Sequence, residues 1–427
     1  MQHLDFVIKQ KFKILLLCNL YIMSNVLSIK NFENTSNQNS KIFKKESGDY
    51  YSLYQSDSNF NRFKRVINFK NEIELWPKSI DIAINNDISH KSIIIAISHI
   101  MTETCIKFNL KKKELIHRSG IFFTLSENYK SELGKKVNET LQIIKIQKGK
   151  IRIAHILREI LYTLGLDFEF RRPDRNKYIH LIKKNINFFK LNDFTINSKY
   201  ATGIRFPPHD FGSIMYHNIY YGSENFLKTT IIPLNKLFTY TIGQTLAPSF
   251  LDFKKLNYLY CSQNCKFVKI VCLNGGYQNP NECTQCKCIN GFNGRRCENI
   301  PLQRKECGKT ILFAEKKTNI LELYGRMNCA IHIKTKFGQK IGIIVDYEYT
   351  ENKKKYDCQP NNSLEIKYDY DKSITGPRFC HENHPIIFFS KSNYILIYYN
   401  NFLGNGGFRI RYRKFKQYIH SMSLQKK

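Results

Sequence analysis

The stretch Arg158-Glu159-Ile160-Leu161-Tyr162-Thr163-Leu164-Gly165-Leu166-Asp167-Phe168-Glu169 decides how the first half of this chain folds. It completes the run Ile151 to Leu164, whose apolar residues recur at helical spacing and predict a helix there. Gly165 stands where that helix should stop, because glycine takes the left-handed turn of a helix end without steric cost. Arg158 and Tyr162 are four apart on one face, an arrangement suited to stacking a guanidinium on a phenol ring, with Phe168 closing the space beside them. His155 and Glu159 share the same spacing, which by itself is competent for a metal.

Outward from this stretch the pattern becomes specific. Glu159 and Gly165 keep the spacing of the zinc motif H-E-x-x-H-x-x-G-x-x-H, while Arg158, Tyr162 and Phe168 occupy its three histidine positions. A register beginning at His155 would put Tyr162 where the glycine belongs, so His155 reads as an ordinary helix residue. Arg172-Pro173-Asp174-Arg175 and Tyr178 follow, and about forty residues later Ser213-Ile214-Met215-Tyr216-His217 reads as a methionine turn. With Trp76-Pro77, Thr104-Cys105-Ile106-Lys107-Phe108 and Leu256-Asn257-Tyr258-Leu259-Tyr260-Cys261, these motifs resemble the astacin family of zinc metalloendopeptidases.

The resemblance implies an α+β metzincin domain over residues 66–261, closed by a disulfide between Cys105 and Cys261. It places Glu159 at the general-base position, there vestigial, and Met215 beneath the metal site. Glu169 matches the residue that meets the mature N-terminal amine. The family's His-Tyr after the turn methionine is transposed to Tyr216-His217, which displaces the tyrosine. A second cysteine pair usual in the family has no counterpart; the lysine-rich stretch Glu127 to Lys150 replaces it and leaves the cleft wall less constrained.

The residues at the histidine positions oppose metal chemistry. Arginine has no lone pair to give, and its charge about 4 Å from Zn²⁺ would repel it by roughly 8 kcal/mol at an effective dielectric of 20. Phe168 has no donor atom, and Tyr162 would have to ionise. Structural zinc sites gain about 10–16 kcal/mol from their full ligand sets. Without the metal, water keeps a pKa near 16 and no nucleophile forms at neutral pH. No Ser/His/Asp or Cys/His constellation replaces it. No cofactor is expected, zinc entering only if the site is active.

The 427 residues carry a net charge of +32, scattered among Asn, Ile, Phe and Tyr without an arginine-rich face, which argues against nucleic-acid binding. Lys9, Lys11 and Lys13 precede the apolar run Ile14 to Met23, the layout of a signal peptide over residues 1–28. That run is too short for a membrane span, which takes about 20 residues. Residues 29–65 are rich in Asn, Ser and Lys and read as a prosegment, ending at the dibasic Arg62-Phe63-Lys64-Arg65. Within it only Ser47-Gly48-Asp49 echoes the family's zinc-blocking F-x-G-D.

Of 13 cysteines, Cys18 lies in the leader, and the other twelve form an even set suited to an oxidising compartment. Ile80-Asp81-Ile82-Ala83-Ile84-Asn85 alternates as a strand, and His90 to Phe108 has helical periodicity carrying Cys105. Cys265 to Cys297 packs six cysteines into about 33 residues with two Gly-rich turns, which resembles an EGF-like module over residues 262–298. Cys283-x-x-Cys286-x-Cys288 there reads as disulfide cysteines rather than a zinc site; only the pair Cys288–Cys297 is assigned. Short β-type runs at Lys340 to Val345, Ser363 to Tyr368, Tyr394 to Tyr399 and Gly407 to Tyr412 suggest a sandwich. With Cys307, Cys329, Cys358 and Cys380, residues 307–416 resemble a CUB domain, whose cysteines pair consecutively, Cys307–Cys329 and Cys358–Cys380.

Asn34, Asn138 and Asn361 lie in N-x-S/T sequons. The sequence therefore points to a secreted astacin-like pseudoprotease that binds peptides, other proteases or matrix proteins. Two further readings stand beside it, an active zinc endopeptidase with a degenerate metal site and a basic glycan-binding surface protein.

Overall fold

The computed structural model describes residues 75–113, 119–136, 141–149, 151–197, 207–224, 228–348, 358–380, 384–404 and 406–416. Residues 1–65, with the expected leader and prosegment, lie outside them, and Val66–Lys427 form one compact unit. The architecture is the one expected: an α+β segment, a small disulfide-bonded module and an all-β sandwich.

The first segment is built on strands β1 (Ser79–Ile84), β2 (Lys107–Leu110), β3 (Gly120–Ser126) and β4 (Leu141–Gln147) in the order β2-β1-β3-β4, all parallel. Helix α1 (His90–Glu103) buries Ile93, Ala96, Ile97 and Ile100, the i, i+3, i+4, i+7 stripe of a core-facing helix. It stops before the expected Phe108. Thr104 is extended and its hydroxyl donates to the Ile100 carbonyl at 2.8 Å, and the chain then turns into β2 beside β1. Sheet pairing thus overrides helical periodicity, and Cys105 follows the helix rather than riding on it. Helix α2 (Ile153–Thr163) packs against α1 and buries Ile156, Leu157, Ile160 and Leu161.

The described part of the stretch from Glu127 to Gly149 holds its shape without a disulfide. Gln142 is buried on β4 and donates to the Gly134 carbonyl (2.8 Å), while its oxygen accepts from Lys136 N–H (3.1 Å). Gly134 N–H in turn donates to the Tyr162 carbonyl at 3.1 Å, tying this wall to α2.

Strands β5 (Ile179–Leu181) and β6 (Ile231–Pro233) pair antiparallel, and helix α3 (Phe250–Cys261) closes the segment. Its start is a capping box: Ser249 Oγ accepts from Asp252 N–H and the Asp252 carboxylate accepts from Ser249 N–H. Cys261 at its end bonds Cys105. The middle module pairs Cys265–Cys283, Cys272–Cys286 and Cys288–Cys297 around the short ladder β7 (Tyr277–Gln278) and β8 (Cys286–Lys287).

The sandwich comprises β9 (Ile311–Phe313), β10 (Asn319–Tyr324), β11 (Asn328–Lys334), β12 (Gln339–Glu348), β13 (Asn362–Lys367), β14 (Arg378–Phe379), β15 (Ile386–Phe389), β16 (Tyr394–Asn401) and β17 (Gly407–Lys416). One sheet runs β10-β17-β12-β15 and the other β14-β13-β16-β11-β9. Cys307–Cys329 and Cys358–Cys380 are its disulfides.

The segments share a core. Phe170, Tyr216, Phe238 and Ile242 of the first belong to the same buried cluster as Ile331, Tyr399 and Ile410 of the sandwich. Cys358 N–H donates to the Tyr240 carbonyl (2.7 Å), Arg378 N–H to Thr241 Oγ1 (2.9 Å) and Thr375 N–H to Asp210 Oδ1 (3.3 Å). The middle module is tied in as well, Tyr398 donating to the Asn290 carbonyl at 2.6 Å and Asn257 to Tyr277 Oη at 3.1 Å.

Candidate functional site

Helix α2 ends as the glycine requires. Leu166 N–H donates to the Leu161 carbonyl and Gly165 N–H to the Tyr162 carbonyl, both 2.9 Å, with Gly165 at φ 91°. These two bonds form a Schellman end, which turns the chain back so that Phe168 lies beside α2. Beneath it runs the turn Ser213–His217. Asp252 of α3 builds this turn, accepting from Ser213 Oγ (2.6 Å) and Ile214 N–H (3.0 Å), while Met215 N–H donates to Ser213 Oγ (2.9 Å). Met215 is fully buried, and its carbonyl accepts from Glu169 N–H at 3.1 Å.

Arg158 joins the helix to this turn. Its Nε donates to the Ile214 carbonyl (2.7 Å) and Nη2 to the Tyr216 carbonyl (3.2 Å), and Nη1 lies 3.4 Å from His217 Nδ1. A guanidinium can only donate, so His217 Nδ1 is the acceptor and its proton sits on Nε2. Burial and the neighbouring Arg158 hold His217 well below its ordinary pKa, so the ring is neutral.

The expected stack of Arg158 on Tyr162 is not formed, because backbone carbonyls of the turn claim the guanidinium instead. The Tyr162 ring stacks on Phe168 (centroids 5.0 Å, 30° apart), and Phe168 stacks in turn on Phe170 (5.2 Å) and tilts against His217 (4.9 Å). Tyr162 Oη accepts from Arg171 Nη1 at 2.9 Å. Burial, reinforced by Asp167, pushes the phenol up to about 12.

Glu159 accepts from Ser131 Oγ at 2.7 Å, and burial raises its pKa above the usual carboxylate range. His155 packs edge-on to Tyr129 (5.0 Å) and is held down to about 4 by burial and the nearby Arg158. His155 and Glu159 therefore take separate partners. Among the described residues no three His, Cys, Asp or Glu side chains converge as a metal site would need.

The transposed pair points to opposite sides. Tyr216 is wholly buried, its hydroxyl 2.9 Å from His209 Nε2, whereas His217 is part-exposed and stacks on Tyr221 (3.9 Å, 9°). Tyr221 donates to Asp193 Oδ2 at 2.8 Å. Glu169 is buried, ion-paired with Lys255 of α3 and with Arg172 (3.7 Å), and accepts from Asp210 N–H (3.1 Å). The chain around the expected processing point lies outside the described residues, so the carboxylate's partners here are side chains and the Asp210 amide.

Ser131, Arg171, Tyr221 and Lys255 were not singled out from sequence, and no spacing marks them. Asp252 had a legible signal, the S-x-x-D capping box at Ser249.

Comparison with known proteins places these features in a family. The family model for astacin, a peptidase family, matches residues 68–261. Zinc metalloproteinase nas-34 of Caenorhabditis elegans is 29% identical over 389 residues, 89% of this chain and 62% of its own length. Zinc metalloproteinase nas-23 of the same organism is 29% identical over 78% of this chain and 65% of its own, so the chain spans under two thirds of either relative. Among solved structures, high choriolytic enzyme 1, a hatching enzyme zinc-protease of Oryzias latipes, aligns with 46% of this chain and 97% of its own at 22% identity, TM-score 0.40. The segment 68–261, with its helix, glycine end and methionine turn, is thus a domain of the astacin peptidase family, in a chain homologous to the nematode zinc metalloproteinases.

Proposed function

We propose that this chain is a secreted astacin-related pseudoprotease, which binds peptides, proteases or matrix proteins without cleaving them. The commitment of Arg158 carries the reading. Its guanidinium donates to two carbonyls of the methionine turn and to His217, at the helix position where the zinc motif has its first histidine. A catalytic zinc needs three protein lone pairs and an open coordination position. Arg158 and Phe168 offer none, and the Tyr162 oxygen is protonated and already accepts from Arg171. These residues do not fit the metal.

What the cleft offers instead is a shelf of part-exposed rings, Tyr162, Phe168, His217 and Tyr221, with Arg171 at its side. Such a surface suits an extended peptide bearing aromatic or acidic side chains. Secretion is supported by the leader-like N-terminus and by the pairing of all twelve cysteines from Cys105 to Cys380. No helix among the described residues is long and apolar enough to cross a membrane.

The second reading, an active zinc endopeptidase, is favoured by the astacin match itself. Elemental analysis of the purified, processed chain, with peptide-library cleavage with and without a chelator, separates the two. The expected result is well under one zinc per chain and no chelator-sensitive cleavage. One tightly bound zinc with chelator-sensitive hydrolysis would falsify the proposal.

A further inference from the structure

A pocket of about 400 Å³ opens where the three segments meet, walled by Leu246 of the first, Asn290 of the second and residues of the sandwich. The sandwich contributes Asn328, Asn361 and Asn400, together with Phe402. Carboxamides both donate and accept, so they match hydroxyl and acetamido groups in either polarity. Phe402 is 62% exposed and carries the Arg326 guanidinium over its ring at 4.7 Å, so an aromatic plate stands beside the amides. Amides beside an aromatic face suit a sugar ring, whose C–H face packs on the plate while its polar groups pair at the edge. Asn400 donates through Nδ2 to the Pro360 carbonyl at 2.9 Å, and its Oδ1 has no partner among the described residues.

Asn361 is one of the residues lining this pocket. It is exposed, its carbonyl accepts from Phe402 N–H at 3.2 Å, and Asn361-Asn362-Ser363 is an N-x-S acceptor sequence. We propose that Asn361 carries an N-linked glycan whose first N-acetylhexosamine seats in this pocket across Phe402, a sugar bracing the junction of the three segments. In the attachment step the Asn361 amide nitrogen displaces a lipid pyrophosphate from C1 of the donor sugar. The N–C1 bond forms, the C1–O bond breaks, and the amide proton leaves as the pyrophosphate departs with the electron pair.

The inference rests on the secretion reading, and its test keeps the two apart. The full chain is expressed in a eukaryotic secretory host, the medium protein is digested for mass spectrometry, and glycan release by peptide-N-glycosidase is timed on native and denatured protein. Asn361 is expected to be occupied, with release from native protein slower by about three- to tenfold than from denatured protein. Phe402→Ala should remove most of that protection at unchanged occupancy, and Phe402→Tyr should keep it. Secreted protein with a bare Asn361, or equal protection in wild type and Phe402→Ala, overturns the inference alone. Protein confined to the cytosol overturns the secretion reading, and this inference with it.

Discussion

Arg158 is the residue on which the site turns, because a charged side chain that is only 6% exposed must be matched by its surroundings. Its match is three acceptors on the methionine turn, two carbonyls and the His217 ring. Arg158→Ala should therefore cost about 2–4 kcal/mol in urea denaturation, since it leaves two carbonyls unpaired and a cavity. Arg158→Met should cost less, because it fills the volume and removes a desolvated charge. Acidification tests the buried histidines. His155 and His332 are both held down to about 4, chiefly by burial, against an ordinary 6.5. A base with a depressed folded pKa stabilises the fold fully above its unfolded value and loses that stability as pH falls below it. His332 should cost about 1–2 kcal/mol between pH 6.5 and 5, and the part-exposed His155 less, because solvent screens its charge. Asp252, raised to about 6 by burial, works in the opposite sense over the same window. The double variant His155→Gln, His332→Gln should flatten the acid side of a melting-temperature profile; an unchanged profile counts against this account.

At the scale of elements, most of α2 was legible because its signals are local: apolar spacing fixed its face and Gly165 its end. The strands β1, β12, β13, β16 and β17 were legible for the same reason. Helix α1 was read five residues too long, because nothing local announces that Lys107–Leu110 pairs with Ser79–Ile82. The bond between α3 and the segment after α1 is the strongest constraint at this scale. Cys105–Cys261 spans 156 residues. On a chain-entropy basis its removal should cost about 5 kcal/mol. The double Cys→Ser variant should lower the urea midpoint accordingly, and a shift under about 1 kcal/mol would show that the reduced chain keeps the loop closed by other contacts.

From Val66 onward the three segments form one compact unit rather than modules on linkers. A β-carbon at Gly212, three residues before Met215, would collide with the Thr375 side chain of the sandwich. Thr375 N–H meanwhile holds Asp210, whose own N–H holds Glu169. Glu365 stands behind this loop, buried. Burial works against its charge, but Lys367 (3.1 Å) and Arg378 (3.0 Å) outweigh it and hold the carboxyl below its ordinary value. A chain truncated after residue 300 would bare Phe238, whose ring lies 6.4 Å from that of Tyr368 in the sandwich. It should melt well below the full chain, which should itself unfold in a single calorimetric transition. Two separate transitions, with the first segment's unchanged by truncation, would sink the shared-core account.

The sequence by itself determined the α+β then all-β order, the ends of α2 and the division of cysteines among three segments. The end of α2 follows from periodicity and turn sterics, which act within a few residues, while the segment order and the cysteine division follow from the resemblance of each segment's motifs to known modules. Only the tertiary structure decided that Arg158 turns to the carbonyls of Ile214 and Tyr216 and not to Tyr162, that Lys255 meets Glu169, and that the sandwich completes the first segment's core. Those partners lie dozens to well over a hundred residues away in the chain. A long polar side chain takes whichever buried acceptor the packed fold brings within reach, and no local pattern records that choice.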